Sequence, residues 1–505
     1  MAAAVAPIGT QFSQLAEAAP DVPAVTCDGR TLTRGELEVS TNRLARAYAE
    51  LGVRQGDYVT IVMPNSIEWV QAVLATWKLG AIPQPLSARL PDTELAGLLA
   101  LRQPSLLVGR DDPNGKSRSI AGDYTPDPTL SAAAHAESVS PVWKSMSSGG
   151  STGRPKLIEA GGDSRLPAAA GYALGAQEGD VQLMSVPLTH NTGFTTFAIG
   201  LIQGHHLVVM PRFEPREFLD LVTKHGVTFL ATVPTIMQRL LPVYRAAPDA
   251  YDLSSIRRFW HLASPCPPAV KEAWIDLLGP EVIWELYGGT ELQALTFING
   301  AQWLEHRGSV GIVVAGEMKV LDDDGNECPP GVVGEIYMRP SPGSAPTYRY
   351  IGATAKSRDG WDSLGDLGYF DEDRFLYLND RRWTCSPSAA GTSTPPRSNR
   401  RCRRIRRCCP AWWLACPMPI WATCLMRSCR PTVLTKPPSR RSWQSASPRT
   451  RCRTPSSSAT PRYATTQARR DGRQCATRSS RDGRLRRVSD RAIKRRWVVP
   501  SLPAP

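Results

Sequence analysis

The stretch Ser148-Gly149-Gly150-Ser151-Thr152-Gly153-Arg154-Pro155-Lys156 packs backbone freedom, hydroxyl donors and a lysine into one loop. Glycines let main-chain N–H groups turn toward an anion with no Cβ in the way. The Ser and Thr hydroxyls add donors, and Lys156 adds a point charge, so the loop reads as a phosphate binder. It is not a Walker A motif, which needs Gly, four residues, then Gly-Lys-Ser/Thr. Taken alone, the same composition would also serve as a flexible linker. Two further segments follow in order. They are Glu285-Leu286-Tyr287-Gly288-Gly289-Thr290-Glu291 and Ser363-Leu364-Gly365-Asp366-Leu367-Gly368-Tyr369-Phe370, the latter running on to Asp380-Arg381.

With these three segments in this order, the chain resembles the adenylate-forming superfamily of acyl- and aryl-CoA synthetases, luciferases and peptide-synthetase adenylation domains. The first matches that family's Ser/Thr/Gly-rich loop ending in Pro-Lys, the second its Tyr-Gly-x-Thr-Glu, and the third its Gly-Asp with an Arg about fifteen residues later. The resemblance implies ATP as cofactor, Mg²⁺, a carboxylic-acid substrate and CoA as co-substrate. It implies that Ser148, Gly150, Ser151, Thr152, Gly153 and Lys156 grip the outer phosphates. Thr290 would meet the α-phosphate, Glu291 would supply a hard oxygen to Mg²⁺, and Tyr287 with Gly288 would stack on adenine. Asp366 would hold the ribose hydroxyls, and Arg381 would reach ribose or phosphate. His190, in Pro187-Leu188-Thr189-His190, would lie between acyl pocket and nucleotide. Ser264 and Pro265, in His261-Leu262-Ala263-Ser264-Pro265-Cys266-Pro267, would wrap adenine, with Cys266 a small apolar residue and no nucleophile. His205 and His206 have no ligand-spaced partner and read as structural. Residues 147–156 and 187–194 resemble most the branch of fatty, steroid and bile-acid CoA ligases, and Gly288-Gly289 would leave room for a bulky acyl group.

The elements that must hold these residues read as a mixed α/β fold. Apolar β-branched runs at 58–63, 204–210 and 227–233 alternate with amphipathic stretches at 69–79 and 215–225. From Gly316 the rhythm changes to a hairpin, 317–321 and 334–338 around the turn 322–326. The expected organisation is stacked α/β subdomains over 1–310 and a small β-barrel-like subdomain over 311–382. No apolar run is long enough for a membrane span, and the first residues lack the basic start and apolar core of a signal peptide. The expected location is cytoplasmic.

The net charge of +14 averages two unlike parts. Residues 383–505 hold 28 Lys+Arg against three Asp and no Glu, whereas residues 1–382 hold 32 against 43 acidic residues. Nine of the twelve cysteines also follow residue 382. A tail so composed is either a disordered basic arm, with nucleic acid as its natural partner, or coding DNA read in the wrong frame. Codon logic favours the second, so no nucleic-acid partner is expected. Trp383 is TGG and Thr384 begins AC, so the shifted codon is GAC, an Asp. The shifted codons for 383–399 then permit Val-Asp-Leu-Leu-Ala-Val-Gly-Gly-Gly-His-Val-Tyr-Pro-Ala-Glu-Val-Glu. This resembles the start of the superfamily's C-terminal domain. Farther on, Thr466-Gln467-Ala468-Arg469-Arg470 permits Ala-Gly-Lys-Ala, which resembles its catalytic-lysine element. The sequence therefore predicts a frame break after Arg382, an unfolded tail, and a chain lacking both the family's hinge residue and its C-terminal lysine.

Overall fold

The computed structural model describes residues 5–147 and 155–381, with only the backbone described for Asp380 and Arg381. The expectations for 383–505 lie outside the described residues.

Local chemistry sets the elements. The helix Pro215–His225 has the bounds expected from sequence. Proline stands at its first position, where a missing N–H costs nothing, the Glu214 carboxylate accepts from the Glu217 amide at 2.9 Å, and Gly226 ends it in the left-handed region at φ 59°. The helix Ile67–Lys78 begins two residues earlier than the apolar pattern suggests, because the Ser66 hydroxyl caps it by accepting from the Trp69 amide at 3.1 Å. The strands Tyr58–Ile61, His206–Val209 and Phe229–Thr232 are shorter than their apolar runs. Flanking Met63, Met210 and Val227 are buried outside the ladders.

Among the described residues the largest sheet has 14 strands. Its middle is parallel, with Pro23–Cys27, His206–Val209, Val181–Met184, Phe229–Thr232, Arg258–Leu262 and Ile283–Tyr287 side by side in that order. Parallel neighbours need crossovers, and the helices Asn191–Ile202, Pro215–His225, Pro234–Ala246 and Pro268–Leu278 lie on them. Beyond Ile283–Tyr287 the pairing turns antiparallel through Leu295–Asn299, Ser309–Ala315, Leu376–Arg381, Trp361–Phe370, Gly334–Arg339 and Glu317–Leu321. The expected hairpin Glu317–Leu321 with Gly334–Arg339 is present, its turn closed by the Asn326 amide donating to Asp322 Oδ1 at 2.8 Å. The strand Ser309–Ala315 runs across residues 310 and 311, where the sequence places the division between subdomains. A four-stranded parallel sheet holds Ile82–Pro85, Tyr58–Ile61, Leu106–Val108 and Arg118–Ile120, and a three-stranded antiparallel one holds Tyr348–Ile351, Leu157–Ala160 and Ser145–Ser147.

Two packings tie these layers together. Trp69, Trp77, Trp143, Phe194 and Phe197 form an aromatic cluster with ring separations of 5.2 to 6.1 Å, mostly edge to face. Each such pair contributes about 0.5–1.5 kcal/mol beyond its buried area. The cluster fastens the helix Asn191–Ile202 to Ile67–Lys78. The second packing is the carboxylate of Glu159, whose residue is 0 % exposed. It accepts from Tyr58 Oη at 2.6 Å, Arg102 Nε at 2.9 Å and Arg349 Nε at 3.1 Å. Burial pulls its pKa upward, but the hydrogen bonds from Arg102, Tyr58 and Arg349 win and hold it below the ordinary glutamate range. Glu159 thus joins the four-stranded sheet to the three-stranded one.

A depressed carboxylate stabilises the fold above its unfolded pKa and loses that contribution as pH falls through its folded value. We expect Glu159→Gln to cost on the order of 2–4 kcal/mol in urea denaturation at pH 7, because two guanidinium groups lose their anion. The loss should shrink below the carboxylate range. A variant as stable as the parent at pH 7 would remove Glu159 from this role.

Candidate active site

The four adjacent parallel strands Val181–Met184, Phe229–Thr232, Arg258–Leu262 and Ile283–Tyr287 all point the same way, so their C-terminal loops share one edge. Those loops carry, in turn, His190, the 232–235 segment, Ser264 with Pro265, and Gly288 to Glu291. The chain leaves Val181–Met184 for His206–Val209 on one side and returns to Phe229–Thr232 on the other. That reversal is the switch point outside which open α/β sheets form their ligand crevice.

The second and third sequence motifs meet there. Tyr287, the last residue of its strand, donates from Oη to Asp366 Oδ2 at 2.9 Å. Asp366 is 9 % exposed and lies within the ten-residue strand Trp361–Phe370, in register with Arg381, and not in the turn its Gly-Asp-Leu-Gly setting suggests. Gly365 makes this possible by taking φ 84°, which leaves the strand irregular beside the aspartate. Gly289 packs its backbone against Leu364, since a Cβ there would come within 2.4 Å of Leu364 Cδ1 and 2.5 Å of Glu291 Oε2. A Cβ on Gly288 would meet Leu295 at 2.5 Å. The space beside the pair is filled by Leu295, Leu364 and Glu291, which corrects the expectation that these glycines leave space for a bulky acyl group.

The first motif falls in sequence between the antiparallel strands Ser145–Ser147 and Leu157–Ala160. Ser148, Gly150, Ser151, Thr152 and Gly153 lie outside the described residues. Lys156, at the loop's exit, sets its Nζ 3.9 Å from the centroid of the Tyr350 ring. The Tyr350 hydroxyl donates to Oε1 of Glu291, which is 5 % exposed. The motif residues Lys156 and Glu291 thus come together on one tyrosine that sequence reasoning missed. Beside it, Asp362 accepts from Tyr348 Oη at 2.7 Å and Gln293 Nε2 at 2.8 Å. A cavity of about 550 Å³ bordered by Gln293, Arg339, Tyr348, Tyr350 and Asp362 adjoins this cluster. Thr290 is half-buried in the turn between Gly289 and Glu291.

On the other side of the crevice, His190 is exposed at the start of the helix Asn191–Ile202, with its backbone extended and no side-chain cap. The first turn of this helix is gripped by Lys144, which sequence reasoning also missed. Lys144 is 1 % exposed, donates to Asn191 Oδ1 and, at 2.9 Å, to Thr195 Oγ1, and lies 4.2 Å from the Trp143 ring. Burial lowers its pKa to about 7. A lysine after Val142-Trp143 and directly before a strand was the available signal.

The 261–267 loop exposes Ser264 and Pro265, and Ala263 is held at φ 72°, a left-handed conformation uncommon outside glycine. Beneath it, Lys271 donates to Glu285 Oε2 at 2.6 Å, with His261 Nε2 3.8 Å away, all three buried. Burial pushes the Cys266 thiol up to about 12, so it stays protonated. His205 Nδ1 lies 3.0 Å from Gln182 Oε1, and His206 Nε2 lies 2.7 Å from Thr26 Oγ1. Among the described residues no group of three or more His, Cys, Asp or Glu could hold a metal ion, and no helix is long and apolar enough to cross a membrane.

Comparison with known proteins agrees with this geometry. The family model described as AMP-binding enzyme matches residues 12–349. A 2-succinylbenzoate–CoA ligase from Geobacillus kaustophilus is 29 % identical over 386 residues, covering 74 % of this chain and 77 % of its own. A fatty acid–[acyl-carrier-protein] ligase from Streptomyces coeruleorubidus is 27 % identical over 396 residues, covering 72 % and 74 %. The o-succinylbenzoate CoA synthetase of Bacillus subtilis, solved with its acyl-adenylate intermediate, superposes with a TM-score of 0.64 at 26 % identity, covering 74 % of this chain and 78 % of that one.

Lys144 gives a pH test. An amine whose pKa falls on folding binds more protons in the unfolded state between its folded and unfolded values, so stability rises with pH across that window. Lys144→Met removes the dependence. The parent should therefore gain on the variant by about 1.4 kcal/mol per pH unit between pH 7 and 10, in urea denaturation. Parallel stability curves for the two proteins would show that Lys144 is not desolvated.

Proposed function

Since the chain belongs to the AMP-binding enzyme family, we propose that it activates a carboxylic acid with ATP to an acyl-adenylate and transfers the acyl group to CoA. The observation that carries this reading is the meeting of Lys156 and Glu291 on Tyr350, next to the Tyr287 and Asp366 pair, at the crevice edge of the parallel sheet.

In the first half-reaction a carboxylate oxygen attacks the α-phosphorus and the bond to pyrophosphate breaks. Two anions must meet, so the site has to supply donors and cations where charge develops. Asp366 would accept from the ribose hydroxyls. The Tyr287 ring, tethered through its hydroxyl, would stack on adenine between Gly288 and the exposed backbone of Ser264 and Pro265. Thr290 would donate to the α-phosphate. Lys156, with Ser148, Gly150, Ser151, Thr152 and Gly153, would hold the outer phosphates, and Arg381 would reach the nucleotide from its place opposite Asp366. His190 would face the acid's carboxylate and shield it from water. A single buried carboxylate, Glu291, fits Mg²⁺, which binds through one or two carboxylates plus substrate phosphates and not in a protein cage. The ion would neutralise phosphate charge there. In the second half-reaction the CoA sulfur attacks the acyl carbon and AMP leaves, the thiol proton passing to solvent. Three free cysteines among the described residues fit a reducing, cytoplasmic setting.

The printed tail belongs to the same reading. Its codons permit the family's C-terminal segments only when shifted after Arg382, so we propose that the frame-restored chain is the full ligase and the printed one is impaired. Pyrophosphate exchange and thioester yield should be measured for both forms over fatty, steroid, bile-acid and aryl acids, 2-succinylbenzoate among them. The resemblance at 147–156 and 187–194 favours the first three groups, and the acid named for the Geobacillus relative favours the last. Adenylation by the restored form should exceed that of the printed chain by about 10²–10³, the usual effect of one preorganised charge-stabilising group. Equal rates, or no exchange with any acid in the restored form, would overturn the reading.

Asp366→Asn should weaken ATP binding by about 1–3 kcal/mol in calorimetry, because one of the two acceptor oxygens becomes an NH2 donor and the negative charge is lost. Unchanged affinity would displace the nucleotide from this strand.

A further inference from the structure

We propose that Tyr350 is the positioning residue that holds the lysine of the phosphate loop and the Thr-Glu carboxylate as one grip on a nucleoside triphosphate and its divalent cation. The proposal rests on the ATP-dependent reading above and goes beyond it, because no motif contains Tyr350.

Three chain segments far apart in sequence meet on this side chain. Its strand, Tyr348–Ile351, is bonded to the strand leaving the phosphate loop, with Tyr350 opposite Ile158, so it is anchored to the loop's base. The face of its ring seats the Lys156 ammonium at 3.9 Å, within cation–π range, and so confines a long flexible stem. Its hydroxyl donates to Glu291 Oε1, giving a buried carboxylate the donor it requires. The other oxygen, Oε2, lies against the Gly289 backbone, where even a Cβ would approach to 2.5 Å. With one oxygen bonded and the other hemmed in, the carboxylate has a fixed orientation. Tyr350 itself is braced by Tyr348, whose ring lies edge-on at 4.8 Å and whose hydroxyl is bound by Asp362. Ring and hydroxyl therefore do separable tasks. The hydroxyl serves the carboxylate that would take the cation, and the ring serves the lysine that would take phosphate.

The test uses the full chain and its Tyr350→Phe and Tyr350→Leu variants, with ATP binding measured by calorimetry in Mg²⁺ and again in EDTA. Tyr350→Phe keeps the ring and the packing volume. It should weaken binding of ATP in Mg²⁺ by about five- to twentyfold while leaving binding in EDTA within about twofold, since only the carboxylate loses its charge-assisted bond. Tyr350→Leu should weaken binding in both conditions, because Lys156 also loses its seat. In pyrophosphate exchange by the frame-restored chain, Tyr350→Phe should raise the Mg²⁺ concentration needed for half-maximal rate. If Tyr350→Phe binds ATP in Mg²⁺ as tightly as the parent, or loses affinity equally in EDTA, the division of labour is wrong. A parent that binds no ATP in either condition would overturn the adenylate reading itself, which a failure of the variants alone would not.

Discussion

One wall of the candidate site depends on a buried charge, the Glu159 carboxylate. It sits on the strand that leaves the phosphate loop and takes donors from the four-stranded sheet, from the segment after the helix Asp92–Leu101, and from the strand Tyr348–Ile351. Burying an anion is costly, and it is offset here by three donors, two of them cationic and partly exposed. The arrangement fixes the three-stranded sheet against its neighbour. That sheet in turn carries Tyr350 on one strand, and Lys156 lies directly before the next, Leu157–Ala160. An apolar contact would glue the layers, but it would not set their register, whereas a carboxylate with named partners does.

The opposite wall of the crevice is held by other means. The aromatic cluster fixes the helix Asn191–Ile202 broadly, and Lys144 pins its first turn through Asn191 and Thr195. Burial lowers the pKa of this amine, and the side-chain oxygens of Asn191 and Thr195 accept its hydrogen bonds. The strained backbone at Ala263 belongs to the same pattern, with local preference overridden where the crevice needs a particular loop shape.

Much of this was legible in the sequence, for identifiable reasons. The lysine that ends 148–156, the Thr-Glu after Tyr287 and the Gly-Asp before Arg381 are short-range patterns, and the structure brings Lys156 and Glu291 together on Tyr350 and pairs Tyr287 with Asp366. The α/β alternation was legible through the period of apolar residues, and the bounds of Pro215–His225 through its proline and glycine. The missed residues share a different property. Tyr350 acts on partners 59 and about 190 residues away, Glu159 on one 190 away, and nothing near either betrays it. Gly288 and Gly289 misled because a glycine signals close approach without saying what approaches. Here it is Leu295, Leu364 and Glu291, all within the protein. Gly-Asp-Leu-Gly around Asp366 is a turn-like sequence. The left-handed Gly365 is instead absorbed inside a strand.

The hairpin that bears the phosphate loop acquires its outer neighbour very late in the chain. The strand Leu157–Ala160 is bonded on one side to Ser145–Ser147, made just before it, and on the other to Tyr348–Ile351, made almost two hundred residues afterwards. During synthesis from the N-terminus, Leu157–Ala160 must therefore wait as an unpaired apolar edge, the kind of surface that recruits stray strands. Closing that edge is set by the loop-closure entropy of a very long connection, and it also brings Tyr350 to Lys156 and Glu291. A chain cut before residue 348 would lack Arg349 and Tyr350 and leave Leu157–Ala160 without its outer partner. The contact of Lys156 and Glu291 with Tyr350, a grip on phosphate and cation if the proposed function holds, exists only in a chain translated past that strand.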